Sequence, residues 1–514
     1  MSGVCVIGAG SSGIASCQVL HARRIPFDCF EMGSEVGGNW RYDNDSGRGS
    51  AYRSLHANSS RRCMQYASFP MPDDYPHYLS HTMIAKYLDD FVDHFGFRRK
   101  IHFRTEVIKV APAATGGWDV TIRQRATGAE RTRRYRAVLV ANGHHSDPRY
   151  PEPAFPGADE FTGRQLHSHD YHTPEPFAGK RVLVLGSGNS ACDIAAECPE
   201  AASRTVLAMR HGAHIIPKYL FGRPTDHLTL MRLGARAPLW LRRSALTLLL
   251  RIARGAVTGY GLPKPDHRIL SAPPTISDSL LSRLGHGDIA VKPGIERFAG
   301  SKACFTDGSA EEFDAVIYCT GYKISFSFLD ETLIGTGQSR LALYRRVVHP
   351  GRAGLYFIGL VQPIGATMPI AEIQSEWAAD LIEGRAVLPA ERRMRREIRT
   401  YRAATAKRYS GGTAHPIQVD FLDYLLQIQG ERSAGARRAR LAGPAHRQAL
   451  MTPDAVPEVG DAAARDDDRV VEVMRRVSEV AEVRDALAQQ HGDEADDDLI
   501  EETKFQRLLS DAGA

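Results

Sequence analysis

Val4-Cys5-Val6-Ile7-Gly8-Ala9-Gly10-Ser11-Ser12-Gly13 sends an apolar run straight into three spaced glycines. The run reads as a buried parallel strand, and GxGxxG followed by a helical stretch through Leu20 reads as the turn from that strand into a helix. Gly8 permits the tight turn, Gly10 lets the backbone approach a pyrophosphate, and Gly13 lets the helix lie close to the strand. The helix N-terminus, at Ser11 and Ser12, offers N–H groups and a positive dipole end to phosphate. A second strand, Phe27-Asp28-Cys29-Phe30, ends in Glu31 about 20 residues downstream, where a carboxylate can accept hydrogen bonds from ribose hydroxyls. A glycine turn with a chance acid is the bland alternative, and the strand–turn–helix–strand–acid order argues against it.

The same architecture recurs. Arg181-Val182-Leu183-Val184-Leu185 leads into Gly186-Ser187-Gly188-Asn189-Ser190-Ala191, a GxGxxA turn opening a helix through about Glu197. Its following strand, Thr205-Val206-Leu207-Ala208-Met209, finishes on Arg210. An acid there would repel a 2′-phosphate, whereas an arginine pairs with it. NADPH is therefore the expected second nucleotide. Glu35-Val36-Gly37-Gly38-Asn39-Trp40, after the second strand, marks the first turn as the flavin site: paired glycines let the chain pass a flat ring, and a tryptophan walls it. Ala137-Val138-Leu139-Val140-Ala141-Asn142-Gly143 and Ala315-Val316-Ile317-Tyr318-Cys319-Thr320-Gly321 are strands ending in small residues. Both are expected to return to the flavin sheet.

At 514 residues, 43% of them apolar and 24% charged, the chain needs two or three domains. The expected class is α/β, with two Rossmann-like dinucleotide-binding domains and a polar, partly disordered or helical C-terminal tail. The FAD-binding domain is placed at 1–165 and 290–430, the NADPH-binding domain inserted at 166–289, and the acidic tail at 431–514. Within that tail Val473, Val477, Val480 and Leu487 recur near helical spacing. A small basic excess, 65 residues against 60 acidic, without a Lys/Arg block, argues against nucleic acid. The eight cysteines lack metal-ligand spacing, and no metal is expected. With no signal peptide visible, a reducing cytoplasmic setting is expected. No run approaches the ~18 apolar residues that span a bilayer. Leu239 to Ile252, where arginines interrupt leucines, reads as a lid or domain-packing helix, with an interfacial membrane helix as the sharper alternative.

Phe161-Thr162-Gly163-Arg164-Gln165-Leu166-His167-Ser168-His169-Asp170-Tyr171 matches FxGxxxHxxxY just before the second turn. With both glycine turns, Gly37-Gly38-Asn39-Trp40 and Cys319-Thr320-Gly321-Tyr322, it resembles the flavin-containing monooxygenases, the dimethylaniline monooxygenase-like family. The likeness extends from Val4 to about Leu426, through Ala57-Asn58-Ser59-Ser60, Phe69-Pro70-Met71-Pro72, Gln362-Pro363-Ile364-Gly365 and Ile417-Gln418-Val419-Asp420. It implies FAD in the first turn, NADPH in the second, and O2 carried as a flavin C4a-hydroperoxide to a soft nitrogen or sulfur of a small molecule. In the family an asparagine and the retained NADP+ hold that peroxide, and Asn58 occupies the matching place. A neutral amide donates a hydrogen bond without delivering the proton that would release H2O2. Tyr171 stands where Baeyer–Villiger relatives carry tryptophan, which weighs against ketone-to-ester chemistry. The membrane-anchored animal members end in an apolar helix, unlike this acidic C-terminus.

The expected cofactor contacts are completed by Ser59, Val107, Thr320 and Gly321. A helix starting near Thr367-Met368-Pro369 could aim its positive end at the flavin, with Gln374 either lining the site or lying on the helix surface. His167 and Tyr171 are expected as hinge or NADPH-domain contacts, since oxygen transfer to nitrogen or sulfur needs no enzyme base. Arg210 steers NADPH. A flavin disulfide reductase would need a close cysteine pair, and neither CxxC nor CxxxxC occurs. A Baeyer–Villiger oxygenase, an uncoupled NADPH oxidase and a non-catalytic flavoprotein scaffold are the other readings. A homodimer is compatible with the sequence.

Overall fold

The computed structural model describes residues 3–230, 239–272, 274–335, 341–408 and 417–449. Two five-stranded parallel sheets organise them. The first runs, in spatial order, Leu355–Phe357, Ala137–Val140, Val4–Ile7, Phe27–Phe30 and Ile101–His102. Val4 lies opposite both Phe27 and Ala137, so the most apolar strand takes the centre, where both faces are covered. Val4, Val6, Cys29 and Leu139 point to a core shared with the helices Ser11–Ala22, His81–Phe95 and Met368–Ile382. Cys5, Ile7, Phe30, Val138 and Val140 point the other way, onto the antiparallel strands Thr105–Pro112, Trp118–Gln124 and Glu130–Tyr135. Each fully buried Val, Ile or Leu contributes about 1.5–3 kcal/mol, which ties the sheet to both flanking layers.

The second sheet repeats the plan: Ile289–Lys292, Arg204–Ala208, Arg181–Leu185, Ala315–Tyr318 and Arg164–His167, all parallel. The helix Asn189–Glu197 covers one face. The antiparallel strands Ile295–Ala299, Lys302–Phe305 and Ala310–Glu312 cover the other.

Ala315–Tyr318 was expected on the flavin sheet, and the structure corrects this. Asp314, just before the strand, accepts from the backbone N–H of Arg181 at 2.8 Å and from its guanidinium at 3.0 Å, clamping the strand beside Arg181–Leu185. The second unit therefore extends to about residue 318, past the expected limit at 289. The chain passes between the units twice, and the two crossings pair with each other: Pro148 bridges Tyr322, and the Arg149 N–H donates to Gly321 O at 2.9 Å.

The expected start of the tail at 431 falls inside one helix, Phe421–Ala449. Arg432 reaches Asp380 at 2.9 Å and also pairs with Glu376, while Arg438 donates to Val387 O at 2.7 Å. These arginines read as tail polarity in the sequence, yet Arg432 docks the helix on Met368–Ile382 and Arg438 on the segment that follows it. The 473–487 periodicity lies outside the described residues. Leu239–Arg254 is a helix, and no helix among the described residues is long and apolar enough to cross a membrane.

Candidate functional site

The first turn is built as its glycines require. Gly8 has φ +97°, and a Cβ there would lie 2.8 Å from Ala141 O; a Cβ on Gly13 would lie 1.8 Å from Gly8 O. Only glycine closes the turn at these two places. At Gly10 a Cβ would meet nothing nearer than Gly38 Cα at 3.7 Å. Gly10 therefore leaves open space, as a pyrophosphate would need. Gly10 caps the helix without a side-chain hydrogen bond, so the N–H groups at Ser11, Ser12 and Gly13 face no capping oxygen. Glu31, buried at the end of its strand, accepts from Ala9 N–H and Gly33 N–H, each at 2.7 Å. Burial pushes its pKa up, and these two N–H donors oppose the rise. Two backbone donors leave acceptor capacity on the carboxylate for ribose hydroxyls. Gly38–Trp40 forms a single 3-10 turn against Gly10, with Asn39 Oδ1 accepting from Ser50 N–H at 2.9 Å. These features fit a tightly held dinucleotide.

The second turn follows the same plan. Gly186 takes φ +148°, and a Cβ there would lie 2.6 Å from Cys319 O, whereas Gly188 faces open space. Ala191 replaces the third glycine and is fully buried. Asn189 Oδ1 accepts from Ile276 N–H at 2.8 Å, fixing the turn to the 275–276 strand. Gly188 caps the helix with no side-chain bond, and Ser190 is half-buried in its first turn. Arg210 is exposed just past the adjoining strand, without a hydrogen bond or ion pair to a described residue. An exposed cation beside an open turn fits a dinucleotide carrying an extra phosphate.

Asn58 and Ser59 lie in a loop tied to both units. Tyr52 donates to Asp193 of the second helix at 2.5 Å, and Ala57 N–H donates to Leu79 O at 2.8 Å. Ser60 N–H donates to Asp226 at 2.6 Å, and the His227 ring lies 3.1 Å from Ser60 Oγ. The Asn58 side chain has no hydrogen bond to a described residue. Cys63, Asp226 and His227 offer ligand atoms within 4.8 Å of one another. Burial and the Asp226 charge push the Cys63 thiol up, and the other two already hold Ser60. Through the two bonds to Ser60 the cluster pins the loop that carries Asn58.

The remaining expected contacts are placed as follows. Gln374 is fully buried; its oxygen accepts from Gly359 N–H at 2.8 Å and its amide donates to Tyr424 OH at 2.7 Å. With both ends taken it positions Gly359, whose Cβ would lie 2.0 Å from Ser12 Oγ. Val107 is a core residue opposite Ile122. Thr320 and Gly321 sit beside the second turn, with the Thr320 hydroxyl donating to Arg149 O. His167 is fully buried between the rings of Tyr150 and Tyr322, at 5.6 and 5.2 Å. Tyr171 donates to Glu197 at 2.8 Å inside the second unit. Gly359, Asp226 and Asp193 were missed; only Gly359, a small residue after the Leu355–Phe357 strand, carried a signal.

Two glycine cradles, one acid-terminated and one arginine-terminated, define a two-dinucleotide oxidoreductase. Residues 2–437 match the flavin-binding monooxygenase-like family, and the chain belongs to it. Flavin-containing monooxygenase 5 of Oryctolagus cuniculus is 36% identical over 442 residues, covering 83% of this chain and 81% of the relative. The S-allyl-L-cysteine S-oxygenase of Allium sativum superposes with TM-score 0.62 at 23% identity, over 92% of this chain and 98% of that one. The closed form of cyclohexanone monooxygenase does so with TM-score 0.64 at 17% identity, over 85% and 98%. The chain is a flavin-dependent monooxygenase that uses FAD and NADPH.

Proposed function

We propose that the chain oxygenates a soft nucleophilic nitrogen or sulfur of a small molecule, with FAD on the Gly8–Gly13 turn and NADPH on the Gly186–Ala191 turn. In this division residues 1 to about 160, with the segments after residue 320, hold FAD, and the second sheet holds NADPH. Bound FAD, once reduced by NADPH, supplies the activation of O2. The residues supply position and exclusion of water. Ser11, Ser12 and Gly13 present N–H groups to the flavin pyrophosphate, Glu31 accepts from its ribose, and Arg210 pairs with the 2′-phosphate of NADPH. Asn58 donates to the activated oxygen without adding a proton.

The observation that carries the reading is the Asn58 amide: it makes no hydrogen bond to a described residue, in a loop fixed through Tyr52, Ala57 and Ser60. A fixed, uncommitted amide is what retention of a reactive oxygen requires. The superposition on cyclohexanone monooxygenase favours a second reading, Baeyer–Villiger oxygenation of a ketone. Oxygen uptake by the FAD-loaded chain with NADPH, measured with small amines, thioethers and a cyclic ketone, separates the two. Stimulation by amines or thioethers, with oxygenated product matching NADPH consumed, is expected. Turnover of the ketone alone would install the second reading, and stoichiometric peroxide with every compound would remove both.

A further inference from the structure

The helix Glu391–Arg408 carries eight basic residues and two acids. At 100° per residue, Arg392, Arg395, Arg396, Arg399 and Arg402 fall within an arc of about 120°. Met394 and Ile398 lie outside that arc and pack in the core. Both acids are already engaged: Glu391 accepts from Arg395 at 2.6 Å, and Glu397 pairs with Arg345 at 3.0 Å. Arg392, Arg396 and Arg399 are exposed, with no hydrogen bond or ion pair to a described residue. Arg392 and Arg396, like Arg395 and Arg399, stand four positions apart on the helix, so each pair repels until an anion covers it. Along this face Arg395, Arg399 and Arg402 join the buried Ile334 and Ile398 in lining a cavity of about 380 Å³, within the size range of ligand sites. His349 lines it too, and its buried Nδ1 has no hydrogen-bond partner among the described residues. No acid lines the cavity among the described residues. Its occupant therefore needs apolar bulk with negative charge around it.

The chain itself holds such a segment. Residues 450–514, outside the described residues, contain 18 acidic residues against seven basic ones, which leaves 58 basic against 42 acidic in residues 1–449. Within them Asp496-Asp497-Asp498-Leu499-Ile500-Glu501-Glu502 sets two adjacent apolar residues between five carboxylates. The 46 residues between Ala449 and Asp496 span up to roughly 150 Å when extended, so any face of the body is in reach. We propose that residues 496–502 dock in cis on this face, with Leu499 and Ile500 in the cavity beside Ile334 and Ile398 and the flanking carboxylates on the arginines. The tether makes the encounter intramolecular, which modest ion pairs can then hold. The same segment of a second copy lacks that advantage, and a nucleic-acid backbone supplies charge without the apolar pair.

The test uses the FAD-loaded full chain as Arg399→Lys, which keeps the charge and supplies an amine for zero-length carbodiimide coupling. Arg399 is exposed, so an unchanged flavin spectrum is expected. Mass-spectrometric peptide mapping should find the new amine joined to carboxylates of 496–502, at least about fivefold above their coupling to the exposed Lys180 and Lys302 of the second unit, and less as salt rises. Adding Leu499→Ser/Ile500→Ser, which leaves every charge in place, should cut that yield about tenfold. Equal coupling at 399, 180 and 302, or none to 496–502, would overturn the proposal, and so would a serine variant that couples like its parent. In a mixture of isotope-labelled and unlabelled protein, amides found only between chains would seat a second copy there instead. No coupling to 496–502, together with a gel shift of duplex DNA that Arg392→Gln/Arg396→Gln abolishes, would assign the face to nucleic acid.

Discussion

Gly10→Ala separates the needs of the fold from the needs of the cofactor. Gly10 lies at φ −71° and ψ −178°, a conformation open to alanine, and the added methyl would approach nothing closer than Gly38 Cα at 3.7 Å. The protein alone has no reason to object; alanine at a compatible position stabilises by about 0.4–1 kcal/mol through the unfolded chain. A pyrophosphate resting on the N-terminus of Ser11–Ala22 must retreat from that methyl. Losing even one N–H to phosphate hydrogen bond removes about 1.5–3 kcal/mol, so Kd for FAD should rise roughly ten- to a hundredfold. The assay is refilling of the flavin-stripped chain, followed by quenching of FAD fluorescence, beside a thermal melt of the stripped protein. Gly13→Ala is the contrast: its Cβ falls 1.8 Å from Gly8 O, so both the melt and the flavin affinity should suffer. A Gly10→Ala chain that melts normally and keeps its FAD affinity within about twofold would place the pyrophosphate elsewhere, by the same arithmetic.

Arg210→Ala should raise KM for NADPH about ten- to a hundredfold, the worth of one charged hydrogen bond, and leave KM for NADH nearly unchanged; equal effects in steady-state kinetics would refute 2′-phosphate recognition. Asn58→Ala removes one neutral hydrogen bond of about 0.5–1.5 kcal/mol, so peroxide released per NADPH should rise roughly two- to tenfold with flavin reduction intact, and unchanged coupling would count against its role. Burial, followed by the neighbouring His169, pushes the His167 pKa down to about 4, below its unfolded value of about 6.5. The unfolded chain therefore takes the proton first, and stability should fall as pH drops from about 6.5 toward 4, by up to about 3 kcal/mol from this residue; denaturant melts of wild type and His167→Gln check it, and parallel pH profiles would exclude His167 as the source.

The two turns and Glu31 were legible because local chain geometry dictates them: only glycine fits beside Ala141 O and Gly8 O, wherever the rest of the chain goes. The partner of Ala315–Tyr318 was not. Apolar strands ending in small residues look alike, and Asp314 meeting Arg181 across 133 positions chose between the sheets. The same holds for Asp226 on Ser60, 166 positions apart, and for Gln374, whose buried bonds to Gly359 and Tyr424 resemble in sequence any helix glutamine. Arg432 and Arg438 read as solvated charge until the acids and carbonyls facing them are known. For Leu239–Arg254 the periodicity announces two unlike faces without saying which one turns outward, since a sequence records the stripe and not its neighbours.

Anaerobic titration of the purified, yellow chain with NADPH tests most directly whether the two cradles present their nucleotides to each other. The flavin absorbance should bleach completely with NADPH, more slowly with NADH, and more slowly again when the transferred hydrogen is deuterium. A chain that stays colourless when supplied with FAD, or bound FAD that NADPH leaves oxidised, would contradict the account.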